Sequence, residues 1–204
     1  MTTLLGWTYA SVDRPAPVDV RLKRTGALAE VHGLRSPSRP TDWLVQAQAC
    51  FRAFEAFLPH VPGSERMKAD AIGERLSSIR SLGQLRLRMA PSDTTPVRPV
   101  GSGRAHLQRL RERRAAEHDW HRRARDALDA VASALPVLGR CRAAPGKAAT
   151  LDLLVPVVLE PELDGRLADA VAAAQRLWSG DAEVTASGLW VPIAFATGVT
   201  ARHG

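Results

Sequence analysis

The sequence predicts an α+β protein: an N-terminal ferredoxin-like-type α/β sandwich, then a C-terminal α+β domain with a long helix and a strand–helix–strand unit. Three observations carry this. Strand-period and helix-period apolar patterns succeed one another in blocks before Ala90. The stretch from Ala90 to Gly103 then interrupts every pattern with Pro91, Pro96, Pro99, Gly101 and Gly103. Finally, Thr150 to Ala196 reads strand, helix, strand and a tail that folds back. Domains are therefore expected at 1–90 and 104–204, with 91–103 as the linker.

In chain order, Leu4 to Val12 is a strand with Trp7 and Tyr9 on one face. Asp13-Arg14-Pro15-Ala16-Pro17 turns the chain. Val18, Val20 and Leu22 alternate with Asp19, Arg21 and Lys23, the period of a half-buried strand. Thr25-Gly26 suits a hairpin turn into a weaker strand, Ala27 to His32. After a Ser-, Arg- and Pro-rich loop from Gly33 to Pro40, Thr41 is the expected N-cap of a helix. Leu44, Ala47, Phe51, Phe54 and Leu58 define its apolar face, and Pro59 is expected to end it. Ser64 caps a second helix with Ala69, Ile72, Leu76 and Ile79 inward. Leu85, Leu87 and Met89 alternate with Gln84, Arg86 and Arg88 as a one-sided strand. Helices on one face of an antiparallel or mixed sheet are the expected layering.

The helix after the break runs from about Arg104 to Leu135. Its first half turns only Leu107 and Leu110 inward among Arg109, Arg111, Arg113 and Arg114. Its second half is amphipathic through Trp120, Ala124, Leu128, Val131 and Leu135. In the closing unit, Leu151, Leu153 to Val155 and Val157 to Leu159 form the apolar run of a strand covered on both faces. Pro161 opens a helix striped by Leu163, Leu167, Val171 and Ala174, and Ser179-Gly180 stops it. A short strand, Asp181 to Ser187, leads into Gly188-Leu189-Trp190-Val191-Pro192-Ile193-Ala194-Phe195, where Gly188 and Pro192 forbid a regular helix. This segment should seal the end of the sheet, with Trp190 and Phe195 packed against Leu153 and Val155.

A chain of 204 residues with 45% hydrophobic content can bury real cores. The net charge of +7 is mostly arginine, since lysine occurs only at Lys23, Lys68 and Lys147. Cys50 and Cys141 make no disulfide framework. The N-terminus has no charged region before Leu4-Leu5 and no long apolar run follows, so no signal peptide, no membrane insertion and a cytoplasmic location are expected.

The chemistry-bearing clusters are sparse. Glu117-His118-Asp119-Trp120-His121 holds a histidine pair three residues apart, but Arg113, Arg114, Arg122 and Arg123 surround it, so no metal is expected. Gly101-Ser102-Gly103 lacks the spacing of a phosphate loop. Gly-x-Ser-x-Gly is absent and neither cysteine has a histidine partner in sequence. No catalytic residue and no cofactor are expected. The helical arginines leave a basic nucleic-acid-binding or regulatory module as the alternative reading, set against a solvated face laced with Glu112, Glu117, Asp119 and Asp126.

Gly188, Trp190, Pro192 and Phe195 fall on four positions of the Gly-Pro-Trp-Pro-Pro-Tyr-Ser-Phe motif that ends gas vesicle accessory proteins of the GvpF/GvpL type. The chain resembles that family there, and Leu189, Val191, Ile193 and Ala194 depart from it. Gly103, Arg104 and Leu107 are similar to the family's Gly-Arg-x-Tyr-Leu helix start, with His106 in place of Tyr. Leu58, Pro59 and Gly63 alone survive from its Leu-Pro-Leu-Arg-Phe-Gly-Thr segment. The resemblance implies a non-catalytic assembly protein. Its partners would be the small hydrophobic shell protein and other gas vesicle accessory proteins, with the shell protein helped to nucleate or kept from aggregating. On that reading two surfaces suit a partner: the strand with Arg86 and Arg88, expected at a sheet edge, and the helix with Arg109, Arg113 and Arg114.

Overall fold

The computed structural model describes residues 3–10, 16–17, 19–34, 39–61, 64–91, 103–142, 146–178 and 182–196. The turn at Asp13-Arg14-Pro15, residues 92–102 of the expected linker and the Ser179-Gly180 stop lie outside them.

Local pattern and long-range pairing divide the chain into two four-stranded sheets. The first contains β1 (Thr3–Tyr9), β2 (Val20–Thr25), β3 (Leu28–Gly33) and β4 (Leu58–Pro59) in the order β2-β3-β1-β4, all antiparallel. Gly26, at φ 65°, closes the β2–β3 turn. A bulge between Leu4 and Gly6 shifts the register, so Leu5 faces one side while Trp7 and Tyr9 face the other.

Helices cover both faces of this sheet rather than one. Helix α1 (Pro40–Ala53) brings Ala47 and Cys50 to Leu5, Val31 and Phe57. Helix α2 (Ala69–Ser78) brings Ile72 and Leu76 to Trp7 and Leu58. Helix α1 starts at Pro40, one residue before the expected cap, and the Arg39 N–H donates to the Asp42 carboxylate at 2.9 Å. It ends at Ala53 and does not continue to Pro59. Phe54, Ala56, Phe57 and Leu58 are all buried, which no one-sided helix permits, and Leu58-Pro59 pairs with Gly6-Trp7 instead. Ser64 opens only a single 3₁₀ turn, and Ala69 is exposed rather than inward.

The second sheet has the order β6-β7-β5-β8, with β5 (Leu82–Pro91), β6 (Gly139–Arg142), β7 (Ala149–Pro156) and β8 (Ala182–Trp190). All three pairings are antiparallel. With α3 (Gly103–Ser133) between β5 and β6, and α4 (Glu160–Leu177) between β7 and β8, this is the βαββαβ course of a ferredoxin-like sandwich. The β5 strand precedes the proline-rich stretch yet is central here, paired to β7 and β8. The sheet-edge position expected for Arg86 and Arg88 is therefore overturned. Eight consecutive pairings, from Leu82–Pro156 to Met89–Ala149, hold it in the interior of the sheet.

One face of this sheet, Leu85, Leu87, Met89, Leu151, Leu153 and Val155, packs on Ala124, Leu128 and Val131 of α3 and on Leu163, Ala170 and Ala174 of α4. On the other face Leu154 joins Leu82, Ile79 and Phe195. Leu151 to Val155 are all buried, as a strand covered on both faces requires. The strand stops at Pro156, however, and Val157–Leu159 is a 3₁₀ turn with Val158 exposed.

Candidate partner-binding site

Two regions hold the residues singled out in the sequence, and they differ in every respect that matters for binding. The first is the junction between the sheets, where the segment 188–196 is strapped down. Gly188 sits where a Cβ would lie 2.9 Å from the Gln84 carbonyl oxygen and 3.1 Å from Leu85 Cα, so any larger residue would push β8 off β5. The register shift opposite Gln84 and Arg86 sets the side-chain directions beyond it. Leu189 and Val191 turn inward, into separate cores. Trp190, between them, is 43% exposed, so the expectation that it packs against the sheet fails. Phe195 is buried, at 4% exposure, against Leu154 and Leu82 on the face opposite Leu153 and Val155. Pro192 is buried beside it in the chain.

Polar side chains complete the strap. Gln48 of α1 donates through Nε2 to the Leu189 carbonyl at 3.0 Å and accepts the Val191 N–H through Oε1 at 2.7 Å. Gln84 of β5 accepts the Ala194 N–H at 2.9 Å and donates to Asp152 Oδ1 at 2.9 Å. Arg86 donates in bidentate fashion to the same carboxylate, at 2.8 and 3.1 Å. Asp152 is 2% exposed, so Arg86, its own side chain about half exposed, neutralises a buried charge. Beyond the strap, Arg52 at the end of α1 grips Glu160 at the start of α4 with contacts of 2.5 and 2.7 Å. That hydrogen-bonded guanidinium holds the Glu160 carboxyl below its usual range. Sequence alone did not single out Gln48 and Gln84. Their only local signal is an amide on the surface of an otherwise apolar element.

The second region is the first half of α3. Helix α4 ends at Leu177, and Trp178 meets Trp120 edge to face at 6.4 Å, with the Arg123 guanidinium 5.4 Å from the Trp178 ring centre. Before this point along α3, residues 106–118 are exposed without a break among the described residues. Leu107 and Leu110, expected inward, are 59% and 38% exposed. Arg109, Arg113 and Arg114 are exposed and make no ion pair with a described residue. Arg88 is exposed on β5, two residues from Arg86. His118 is exposed while His121 packs on Trp120, and among the described residues no three His, Cys, Asp or Glu side chains are grouped to hold a metal. Burial pushes the Cys50 thiol up to about 12 and raises that of Cys141, which suits packing and not nucleophilic chemistry.

No family model matches this sequence, and no curated protein matches it. Solved structures do match the fold. The gas vesicle protein GvpF from Anabaena sp. PCC7120 aligns with a TM-score of 0.63 at 11% identity, covering 96% of this chain and 97% of that one. GvpF from Microcystis aeruginosa aligns at 0.57 and 14% identity, covering 96% and 98%. Coverage this complete, from the first sheet through the strap, makes the α+β fold of this chain that of the GvpF proteins.

Proposed function

We propose that this chain is a divergent gas vesicle assembly protein. It binds the small hydrophobic shell protein in the cytoplasm and assists its nucleation or holds back its aggregation, catalysing no reaction. The observation that carries this reading is the shared fold over 96% of the chain with both GvpF structures. The four motif residues Gly188, Trp190, Pro192 and Phe195 add support, because Gly188 and Phe195 hold the strap in place. Other gas vesicle accessory proteins are the further partners the reading implies. No helix among the described residues is long and apolar enough to cross a membrane.

Arg109, Arg113 and Arg114 are the contact residues we assign to the partner, with Arg88 a lesser one. Arg86, expected beside it, is paired with Asp152 and would have to keep that pairing in any contact. The test is co-expression with the shell protein encoded nearest to this chain, followed by affinity purification. Capture of the shell protein by the parent is expected. Its absence would sink the assembly reading.

A further inference from the structure

We infer that residues 103–118 of α3 are a docking helix for an acidic amphipathic helix of a partner protein, with Leu107 and Leu110 as the apolar anchors. This deepens the assembly reading and rests on it only for the partner's identity. The segment extends about 24 Å beyond the last contact with α4, at 1.5 Å per residue. Leu110, Arg114, Glu117, His121, Ala124 and Leu128 follow one another at three- and four-residue steps, along one face. Ala124 and Leu128 on that face are buried in the sheet's core. Leu107 and Leu110 therefore lie on the same face as that core, where among the described residues no other element covers them.

Charge decides what covers the stripe. Arg104, Arg111, Arg113 and Arg114 lie one helical turn from the two leucines, and Glu112 and Glu117 only partly offset them. A second copy, paired about a two-fold axis through these leucines, would press the arginines of both copies together, at a cost that opposes such a dimer. Nucleic acid suits the site less well, because exposed leucines occupy its centre and no Phe, Tyr or Trp on 103–118 offers a stacking face. An amphipathic helix with apolar anchors and Asp or Glu flanks satisfies both parts of the surface.

The experiment uses the full chain and fluorescence anisotropy. The probes are a labelled helical peptide of about five turns with a leucine stripe and Glu flanks, the same peptide with Lys flanks, and a labelled DNA duplex. The Glu peptide should bind and the Lys peptide should not. Leu107→Ser with Leu110→Ser should weaken binding at least about tenfold, as loss of central anchors does. Arg109→Glu, Arg113→Glu and Arg114→Glu together should exchange the preference for that of the Lys peptide. Both variants alter only exposed side chains, and circular dichroism checks that they fold. Equal affinity for both peptides, indifference to the leucine changes, tighter binding of DNA, or a dimer in sedimentation that the leucine changes abolish would each overturn the inference. Peptide binding without capture of the shell protein would defeat the assembly reading and leave this inference standing. Capture insensitive to the leucine changes would do the reverse.

Discussion

The strap at 188–196 and the free half of α3 are both rich in residues that look functional in a one-dimensional reading, yet they spend them in opposite ways. At the strap every side chain singled out is either buried or tied to another part of the chain, Trp190 excepted. Gln48 clamps two backbone groups and Arg86 is locked on Asp152. On the free half of α3, Arg109, Arg113 and Arg114 make no ion pair with a described residue, and Leu107 and Leu110 are exposed. An arginine is available to a partner only where the fold has left no buried carboxylate to claim it. Arg86 and Arg109 carry the same charge and fall on opposite sides of that line.

The contrast is most sharply tested at Phe195. Phe195→Ala should cost roughly 3–5 kcal/mol, because the ring is buried in the core cluster that also holds Leu82 and Leu154. Thermal melting in parallel with the parent reads this out, and an unshifted midpoint would mean that the strap does not hold the sheets. Next comes Arg86→Met, which leaves Asp152 buried with Gln84 as its remaining partner. The loss should be about 2–3 kcal/mol, less than for a fully enclosed pair because the Arg86 side chain is about half exposed. Adding Asp152→Asn to that variant should restore part of it, and a double-mutant cycle in urea measures the coupling. No recovery would show that the pair is not the reason for the loss.

A smaller effect is expected at Arg52–Glu160, since both side chains are more than a third exposed. Arg52→Ala should cost at most about 1 kcal/mol. The pair also has a pH signature. Glu160 is held below its ordinary pKa of 4.5 in the folded state, so its contribution is complete above that pH and is lost as pH falls through the lowered value. The difference in stability between parent and Arg52→Ala should thus shrink on acidification below about pH 4.5. A difference that grew instead would contradict the assignment. Smallest of all are Trp190→Ala and the Arg109, Arg113, Arg114 reversal, each expected to change stability by about 0.5 kcal/mol or less as exposed positions do. Large destabilisation by the reversal would mean that α3 is docked along its whole length, and the comparison would collapse.

What the sequence determined by itself is local. The 3.6-residue stripe of α4, the one-sided alternation of Leu85, Leu87 and Met89 and the burial of Leu151 to Val155 all follow from neighbours within a few residues, whereas β8 runs past the expected end at Ser187, through Gly188 to Trp190. The arginine face of α3 was legible for the same reason. Tertiary structure alone decided the rest. Pairing of β5 with β7 and β8 joins residues sixty or more positions apart, and no period in β5 records its partner. A single register shift turned Trp190 outward and Leu189 inward, because one added residue in a strand exchanges its two faces. Leu107 and Leu110 share a periodic face with buried residues, but periodicity says which side of a helix is apolar, not whether another element extends far enough to cover it. Among the described residues that length is set by α4, which ends close to Trp120, and residues 106–118 are left exposed.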